Sequence, residues 1–234
     1  MPNAVITGAT QGIGKAISEK LLAEGFDIAI CARTQKDLQQ LQKQWANKYP
    51  TSKVFIYKAD LGEKEETLAF AKYVLSVFTN IDILVNNAGN FYPGKLATEA
   101  DGHLEELMTV HVFSAYHITR KLLPAMKKKK GGHIFNMCSI ASLRAYPGGA
   151  SYGIAKYALL GFSENLREEL KEDNIKVTSI CPGAVYTRSW QGAGLPASRF
   201  IKPEDVAETV WSAFSLSTGA DLEIIVIRPQ KGDI

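Results

Sequence analysis

A tyrosine and a lysine stand four residues apart, at Tyr152 and Lys156. On a helix this spacing places both side chains on one face, one turn apart. A nearby ammonium favours the phenolate and lowers the phenol's pKa, which is ordinarily about 10. Lowering it to about 7 takes roughly 4 kcal/mol, which one close cation in a site of low dielectric can supply. The spacing therefore predicts a tyrosine that exchanges a proton with a substrate oxygen; the alternative is an ordinary amphipathic contact.

A glycine-rich turn follows the first apolar run, at residues 3–6. The apolar period after it predicts a helix, so the glycines lie in a strand–turn–helix unit. In such a unit Gly8 allows the tight turn, Gly12 lets a pyrophosphate approach the backbone, and Gly14 lets the helix pack closely on the strand. The phosphates then rest on the helix N-terminus. The spacing differs from the commonest dinucleotide fingerprint, and a purely structural loop is the alternative.

The second predicted strand ends at Ala32, where dinucleotide folds that take NAD usually have an acid for the ribose 2′-hydroxyl. Arg33 and the Thr34 hydroxyl follow instead and offer charge-assisted bonds to a 2′-phosphate. The segment therefore favours NADP over NAD. The alternative is that Arg33 is a solvated loop cation.

Two further polar segments end predicted strands, where such sheets bind their ligands. Asp60 has two compatible interpretations: it accepts a bond from an adenine amine, or it begins the turn and caps the helix from Glu63. The small residues of 86–89 suit a flat ring that lies against the backbone. Turn stabilisation by the asparagine amides is the alternative for that segment.

The composition excludes several classes of function. A net charge of +3 over 234 residues is too small to indicate nucleic acid, and the basic run 127–130 suits a solvated helix end. The longest apolar runs are strand-sized, so we expect no membrane span. A strand that begins within three residues of the N-terminus leaves no room for a signal peptide. We expect no metal, because the four histidines lack ligand-like spacing.

Three cysteines without Cys-x-x-Cys spacing, Cys31, Cys138 and Cys181, are typical of buried thiols in a reducing compartment. We therefore expect a cytoplasmic protein.

The elements needed to position these residues alternate along the chain. Helical regions at 101–130 and 150–171 join other helices between the strands, and the second of these carries Tyr152. The pattern predicts a single α/β domain over 1–234 with a Rossmann-type, doubly wound, mostly parallel sheet and helices on both faces. A segment rich in Gly, Ala and Ser at 188–202 reads as a mobile substrate lid. The seven predicted strands are 3–6, 26–32, 54–59, 81–85, 132–138, 175–181 and 222–227.

Over essentially its whole length the chain resembles the short-chain dehydrogenase/reductase family. The motifs that carry the resemblance are Thr7-Gly8-x-x-x-Gly12-x-Gly14, Asp60, Asn86-Asn87-Ala88-Gly89, Ser139, Tyr152-x-x-x-Lys156 and Pro182-Gly183.

The resemblance implies a role for each matching position. Tyr152 would be the general acid/base, and Lys156 would lower its pKa and bind the nicotinamide ribose. Ser139 would hold the substrate oxygen, and Thr187 would meet the nicotinamide carboxamide. NADP(H) would be bound by Gly8, Thr10, Gln11, Gly12, Ile13, Gly14, Arg33, Thr34, Asp60, Leu61, Asn87, Ala88, Gly89, Tyr152, Lys156, Pro182, Gly183, Val185 and Thr187.

His111 is a departure from the family's pattern, because many members have an asparagine there that completes a catalytic tetrad. In the family this position supports a relay water largely through a backbone carbonyl, which histidine retains. The imidazole, which titrates near pH ~6.5, offers a second proton carrier. A satisfied buried histidine is the alternative.

The resemblance implies an NADPH-dependent carbonyl reductase or alcohol dehydrogenase that acts on a small carbonyl or alcohol. The C-terminal segment 223–234 and the segment 182–187 look most like bacterial sepiapterin reductases, whereas the 3-oxoacyl-carrier-protein reductases have a glycine-rich tail. The rival is a non-catalytic NADP-binding or redox-sensing protein. Apolar stripes on the helices at 101–130 and 150–171 predict a homodimer or homotetramer, as is common in the family.

Overall fold

The seven strands of the computed structural model, which describes residues 1–190 and 194–234, form one sheet. Every neighbouring pair is parallel, in the order β3-β2-β1-β4-β5-β6-β7. The prediction of a doubly wound, Rossmann-type α/β fold is confirmed. The strands are β1 Asn3–Thr7, β2 Asp27–Ala32, β3 Val54–Lys58, β4 Ile83–Asn86, β5 Gly132–Met137, β6 Ile175–Pro182 and β7 Ile224–Ile227.

Helices cover both faces of the sheet. On β1, Ile6 packs toward α1, α2 and α7, and the adjacent Val5 packs toward α3, α5 and α6, as the two-residue period of a strand requires. Each face therefore has its own apolar core. The helices are α1 Gly12–Ala23, α2 Gln35–Lys48, α3 Lys64–Val77, α4 His103–Met108, α5 Ser114–Lys129, α6 Ala150–Leu170 and α7 Pro203–Phe214.

The strand order reverses between β1 and β4, and this reversal locates the site. In an open parallel sheet, connections leave toward opposite faces at such a point and open a crevice at the carboxyl ends of the strands. The turn after β1 and the segment after β4 border this crevice. The structure describes no helix that is both long and apolar enough to cross a membrane.

The long helical region predicted at 101–130 is not uniform. It consists of α4, a π-helical turn at Thr109–Phe113 and α5. Periodicity finds the helical path but does not reveal the change in hydrogen-bond register. The last strand is also shorter than predicted, because pairing with β6 begins only at Ile224.

The apolar stripe of α6 predicted to pack on partner subunits faces the core instead. Leu159, Leu166 and Leu170 are buried within the chain. Of the predicted lid, residues 191–193 lie outside the described residues, and short 3₁₀ turns lie on either side at Arg188–Trp190 and Ala197–Arg199.

Replacing Gly14 by alanine is expected to reduce the free energy of unfolding by about 2 kcal/mol, since overpacking costs about 1–3 kcal/mol. A Cβ there would lie 2.4 Å from the Gly8 carbonyl oxygen and 2.5 Å from Asn87 Nδ2, and the carbonyl belongs to the turn itself. The matched control is Gly161→Ala on α6, where a Cβ meets nothing within 4 Å. It should gain about 0.5–1 kcal/mol of helix propensity. Urea melts of the two variants test this, and equal effects would contradict it.

Candidate active site

A cleft of about 450 Å³ opens at the carboxyl edge of the sheet. All but one of the residues predicted for cofactor binding or catalysis line it. Most of them follow the ends of six strands, whereas Tyr152 and Lys156 lie on α6 and His111 lies in the π-helical turn. The exception is Gly14, which lies behind the turn and packs against Gly8 and Asn87. The packing role predicted for Gly14 agrees with the structure, and its contact with a cofactor stays a prediction.

The turn after β1 is held open for a ligand by bonds from β4. The Thr7 hydroxyl accepts hydrogen bonds from the backbone N–H groups of Asn87 and Ala88, each at 2.9 Å. The Asn87 side-chain amide donates to the carbonyls of Thr7 and Gly8, at 2.9 and 3.1 Å. Gly8 and Gly12 have φ of +64° and +54°, which other residues rarely adopt. A turn with this geometry at the start of α1 fits a dinucleotide pyrophosphate.

The ends of β2 and β3 carry the groups proposed for the adenosine half. Arg33 and Thr34 are exposed and line the cleft. Asp60 also lines it, and one of its carboxylate oxygens accepts a bond from Gly62 N–H at 2.9 Å. The N-cap of α3 is Glu63, without a side-chain bond, so the suggestion that Asp60 caps this helix is wrong. Asp60 begins the turn, and its other carboxylate oxygen remains for a ligand.

The side chains of Ser139, Tyr152 and Lys156 meet between the C-terminal end of β5 and the first turns of α6. The Lys156 ammonium donates to the Met137 carbonyl at 2.7 Å and lies 5.6 Å from the centre of the Tyr152 ring. The Ser139 hydroxyl accepts from Ala141 N–H at 3.1 Å and lies close enough to the Tyr152 phenol to lower the pKa of that phenol. The predicted catalytic group is thus assembled in one place, with Tyr152 and Lys156 on one face of α6.

Burial dominates the protonation states of this group. It raises the pKa of Tyr152 well above its usual value, and the nearby Ser139 hydroxyl opposes the rise. Burial also lowers the pKa of Lys156 to about 8. The prediction that Lys156 brings the Tyr152 pKa down to neutrality is therefore wrong for this structure. Burial removes water from both the Tyr152 phenolate and the Lys156 ammonium. The ammonium also donates to the Met137 carbonyl rather than to the phenol.

His111 lies in the π-helical turn, and its ring occupies the space beside Gly89. A Cβ on Gly89 would lie 2.1 Å from the imidazole Cε1. Nε2 donates to the Asn90 carbonyl at 2.9 Å, and Nδ1 is buried without a partner among the described residues. Burial, and then the charge on Lys156, lower the pKa of His111 well below its usual value. The imidazole is therefore neutral near pH 7, which favours the buried-histidine interpretation over a second proton carrier.

Sequence reasoning missed residues that border the reactive tyrosine. Phe91 contacts the Tyr152 ring with centroids 4.8 Å apart. Glu99 accepts a 2.6 Å bond from the Ser151 hydroxyl at the start of α6. Phe91 follows shortly after the segment 86–89, which begins at the end of β4. Its closeness to this predicted ligand-binding segment is the signal that would have identified it. No local pattern indicates Glu99.

The glycine turn, which fits a dinucleotide pyrophosphate, and the Tyr152 hydroxyl share one cleft. This combination is typical of the dinucleotide-dependent oxidoreductases. The family model for short chain dehydrogenases matches residues 2–195, and the chain belongs to that family, as its motifs predicted.

Curated relatives align over almost the whole chain. Human dehydrogenase/reductase SDR family member 11 is 31% identical, covering 97% of this chain and 94% of its own. An uncharacterised oxidoreductase of Staphylococcus epidermidis is 29% identical, with 97% and 96% covered.

Solved structures agree. An alcohol dehydrogenase of the archaeon Thermococcus sibiricus, complexed with 5-hydroxy-NADP, has a TM-score of 0.91 at 27% identity, with 100% and 99% of the chains covered. L-sorbose reductase of Gluconobacter frateurii, complexed with NADPH and L-sorbose, has a TM-score of 0.90 at 29% identity, with 97% and 95% covered.

The stability cost of the buried Lys156 should depend on pH. Its folded pKa of about 8 lies below its ordinary 10.5, so between these values the unfolded chain binds the extra proton and stability rises with pH. The unfolding free energy of the wild type, relative to Lys156→Met, should increase by about 3 kcal/mol across this window. Guanidinium melts from pH 7 to 10.5 measure it. An exposed control, Lys43→Met, should show a flat difference, and an equally flat curve for Lys156→Met would contradict the assignment.

Proposed function

We propose that the protein is an NADPH-dependent carbonyl reductase, which in reverse acts as an alcohol dehydrogenase. The observation that carries the proposal is that Ser139, Tyr152 and the buried Lys156 ammonium line one cleft, which the glycine turn borders. NADP(H), when bound, supplies or accepts the hydride. The protein's own contribution is binding, orientation and the movement of one proton.

The protonation state of Tyr152 suits the reductive direction. With its pKa raised, the phenol carries a proton at neutral pH and can give it to a carbonyl oxygen that gains negative charge. The Ser139 hydroxyl lies next to it and can donate a second hydrogen bond to that oxygen. The phenolate that remains is favoured by the Lys156 ammonium. Oxidation of an alcohol needs the deprotonated phenol and is therefore favoured at alkaline pH.

The cofactor is NADP(H) rather than NAD(H). Arg33 and Thr34 face the cleft where an NAD-binding chain usually has an acid, and a guanidinium matches a phosphate in charge and geometry. The two solved relatives described above are complexed with NADP-type nucleotides. A sepiapterin-type or 3-oxoacyl-type substrate remains a prediction from the resemblance alone.

We retain the proposal of a single domain over 1–234. We also retain the proposal of a lid at 188–202, because Trp190 in this segment lines the cleft next to Thr187. We also retain a cytoplasmic location, because Cys31, Cys138 and Cys181 are buried free thiols, which a reducing compartment preserves.

We propose a homodimer or homotetramer that pairs through the helical regions 101–130 and 150–171, though not through the buried stripe of α6. Phe113, Tyr116, Ile154 and Tyr157 are large apolar residues of the π-helical turn, α5 and α6 that remain more than two-fifths exposed. A second copy of the chain would cover them. Sedimentation velocity should find a dimer or larger at micromolar concentration, and Tyr157→Glu should shift the protein toward a monomer. A wild type that sediments as a monomer would refute the proposal.

The Tyr152→Phe variant tests the proton-transfer role. Loss of the phenol should lower kcat for ketone reduction by at least about a hundredfold, because general acid catalysis contributes about 10²–10⁴. NADPH binding, measured by fluorescence titration, should change little. The control is Tyr73→Phe on α3, which should retain activity. Wild-type turnover by Tyr152→Phe would refute the role, and tight NADPH binding by a wild type that reduces no carbonyl would favour the non-catalytic rival.

The Arg33→Ala variant tests the choice of cofactor. Loss of a charge-assisted contact with the 2′-phosphate should weaken NADPH binding by about 10- to 100-fold and leave NADH binding within about twofold. The matched control is Lys36→Ala, which removes an exposed cation that does not line the cleft. Isothermal titration with both nucleotides gives the dissociation constants. If NADPH and NADH bind equally well to wild type and variant, Arg33 has no such role.

A further inference from the structure

Aromatic rings continue from the reactive tyrosine along one side of the cleft. The Phe91 ring is nearly perpendicular to that of Tyr152, with centroids 4.8 Å apart. The Trp190 ring is nearly parallel to Phe91, at 24° and 6.3 Å. Both Phe91 and Trp190 line the cleft and are partly exposed to it. We call Phe91 and Trp190 the aromatic wall. A substituent on a carbonyl carbon that is held at Tyr152 would meet this wall.

Lys156 lines the cleft beside Tyr152, but its ammonium is bonded to the Met137 carbonyl. The other charged side chains of the cleft group elsewhere. Arg33, Asp37 and Asp60 belong to the adenosine end, and Arg188 also lines the neighbouring depression beside Gln11 and Gly12, at the glycine turn. The cleft lining also includes Asn90, His111, Ile140 and Tyr146, whose side chains are uncharged near neutral pH. A charged substrate group placed against the wall would lose water without gaining a partner.

Independent contacts hold each ring of the wall. The imidazole of His111 bonds to the carbonyl of Asn90, the residue before Phe91, at 2.9 Å. Trp190 packs on Phe200 with centroids 5.4 Å apart. These contacts restrict both rings, so each can present its flat surface to a substrate at a reduced entropic cost. His111 is thus a positioning residue for the wall, which gives a use to a side chain that does not titrate near neutral pH.

We propose that the substrate is an uncharged ketone with a flat, aryl-sized substituent that lies on Phe91 and Trp190. The proposal rests on the reductase activity proposed above and names the substrate class of that site. NADPH, when bound at the glycine turn, would supply the hydride for the carbonyl carbon and would become NADP⁺. As the C=O π electrons move to oxygen, the Tyr152 phenol would give that oxygen its proton, so that a secondary alcohol forms and a phenolate remains. Polyhydroxylated ketones are disfavoured, because their hydroxyls would be desolvated against rings that cannot hydrogen-bond to them.

The test compares ketones matched in size, with NADPH oxidation as the signal. For the wild type, kcat/KM for 4-methylacetophenone should exceed that for 4-acetylbenzoate by at least about tenfold, because the carboxylate must be desolvated. It should likewise exceed that for L-sorbose. Trp190→Leu and Phe91→Leu, which keep apolar volume and remove the flat ring, should each lower kcat/KM for 4-methylacetophenone by about fivefold. The same variants should change kcat/KM for cyclohexanone by less than about twofold. The control, Tyr73→Leu, should change neither.

The outcomes separate this inference from the proposed function. Turnover of 4-acetylbenzoate or L-sorbose at the rate of 4-methylacetophenone or faster would overturn the substrate class and leave the reductase intact. Equal losses for the aryl and alicyclic ketones in both ring variants would also overturn it. If no ketone is reduced, the reductase proposal fails. Calorimetry on the NADP⁺ complex then decides the inference, which stands only if 4-methylacetophenone binds at least about tenfold more tightly than 4-acetylbenzoate.

Discussion

The rest of the site depends on one buried ammonium group, that of Lys156. Lys156 is only 5% exposed, and its ammonium donates a hydrogen bond to the Met137 carbonyl at the end of β5. Removing a cation from water is costly, and its lowered pKa measures that cost. The fold supports the arrangement from two sides, because β5 aims the carbonyl and α6 carries both Lys156 and Tyr152. A cation held in this way favours any negative charge that forms beside it, which is what a tyrosine that gives up a proton needs.

A chain of polar contacts through the core fixes α6 relative to the sheet. The Asn86 amide donates to Asn136 at 2.8 Å, and Asn136 donates to the Ser163 hydroxyl at 2.7 Å. Buried amides are expensive unless they are bonded, so this chain tolerates few alternative arrangements. It connects the end of β4, next to the nucleotide turn, with the helix that carries the reacting tyrosine. The two halves of the cleft are therefore held in one fixed relation.

The features that could be predicted from the sequence are those that depend on local geometry, such as which strand ends carry site residues. Strand ends that precede Gly8, Arg33, Asp60 and Ser139 all reach one edge because the sheet is parallel, and apolar periodicity is enough to establish that. The sequence did not predict the protonation of Tyr152, since the depth of its burial depends on Phe91 and on other residues distant in the chain. Nor did it predict the aromatic wall, because Phe91 and Trp190 meet only through the folded sheet.

The π-helical turn at Thr109–Phe113 holds one more residue than an α-helix would use over the same rise. Deleting one residue here would close the wide turn into an ordinary α-turn, so the side chains within it would point in new directions while α4 and α5 keep nearly their present phase. The imidazole of His111 would then leave the vacancy beside Gly89 and release the Asn90 carbonyl. The position of the backbone before Phe91 therefore depends on one extra residue in a helix. A one-codon deletion there would change the substrate side of the cleft and leave Ser139, Tyr152 and Lys156 in the sequence.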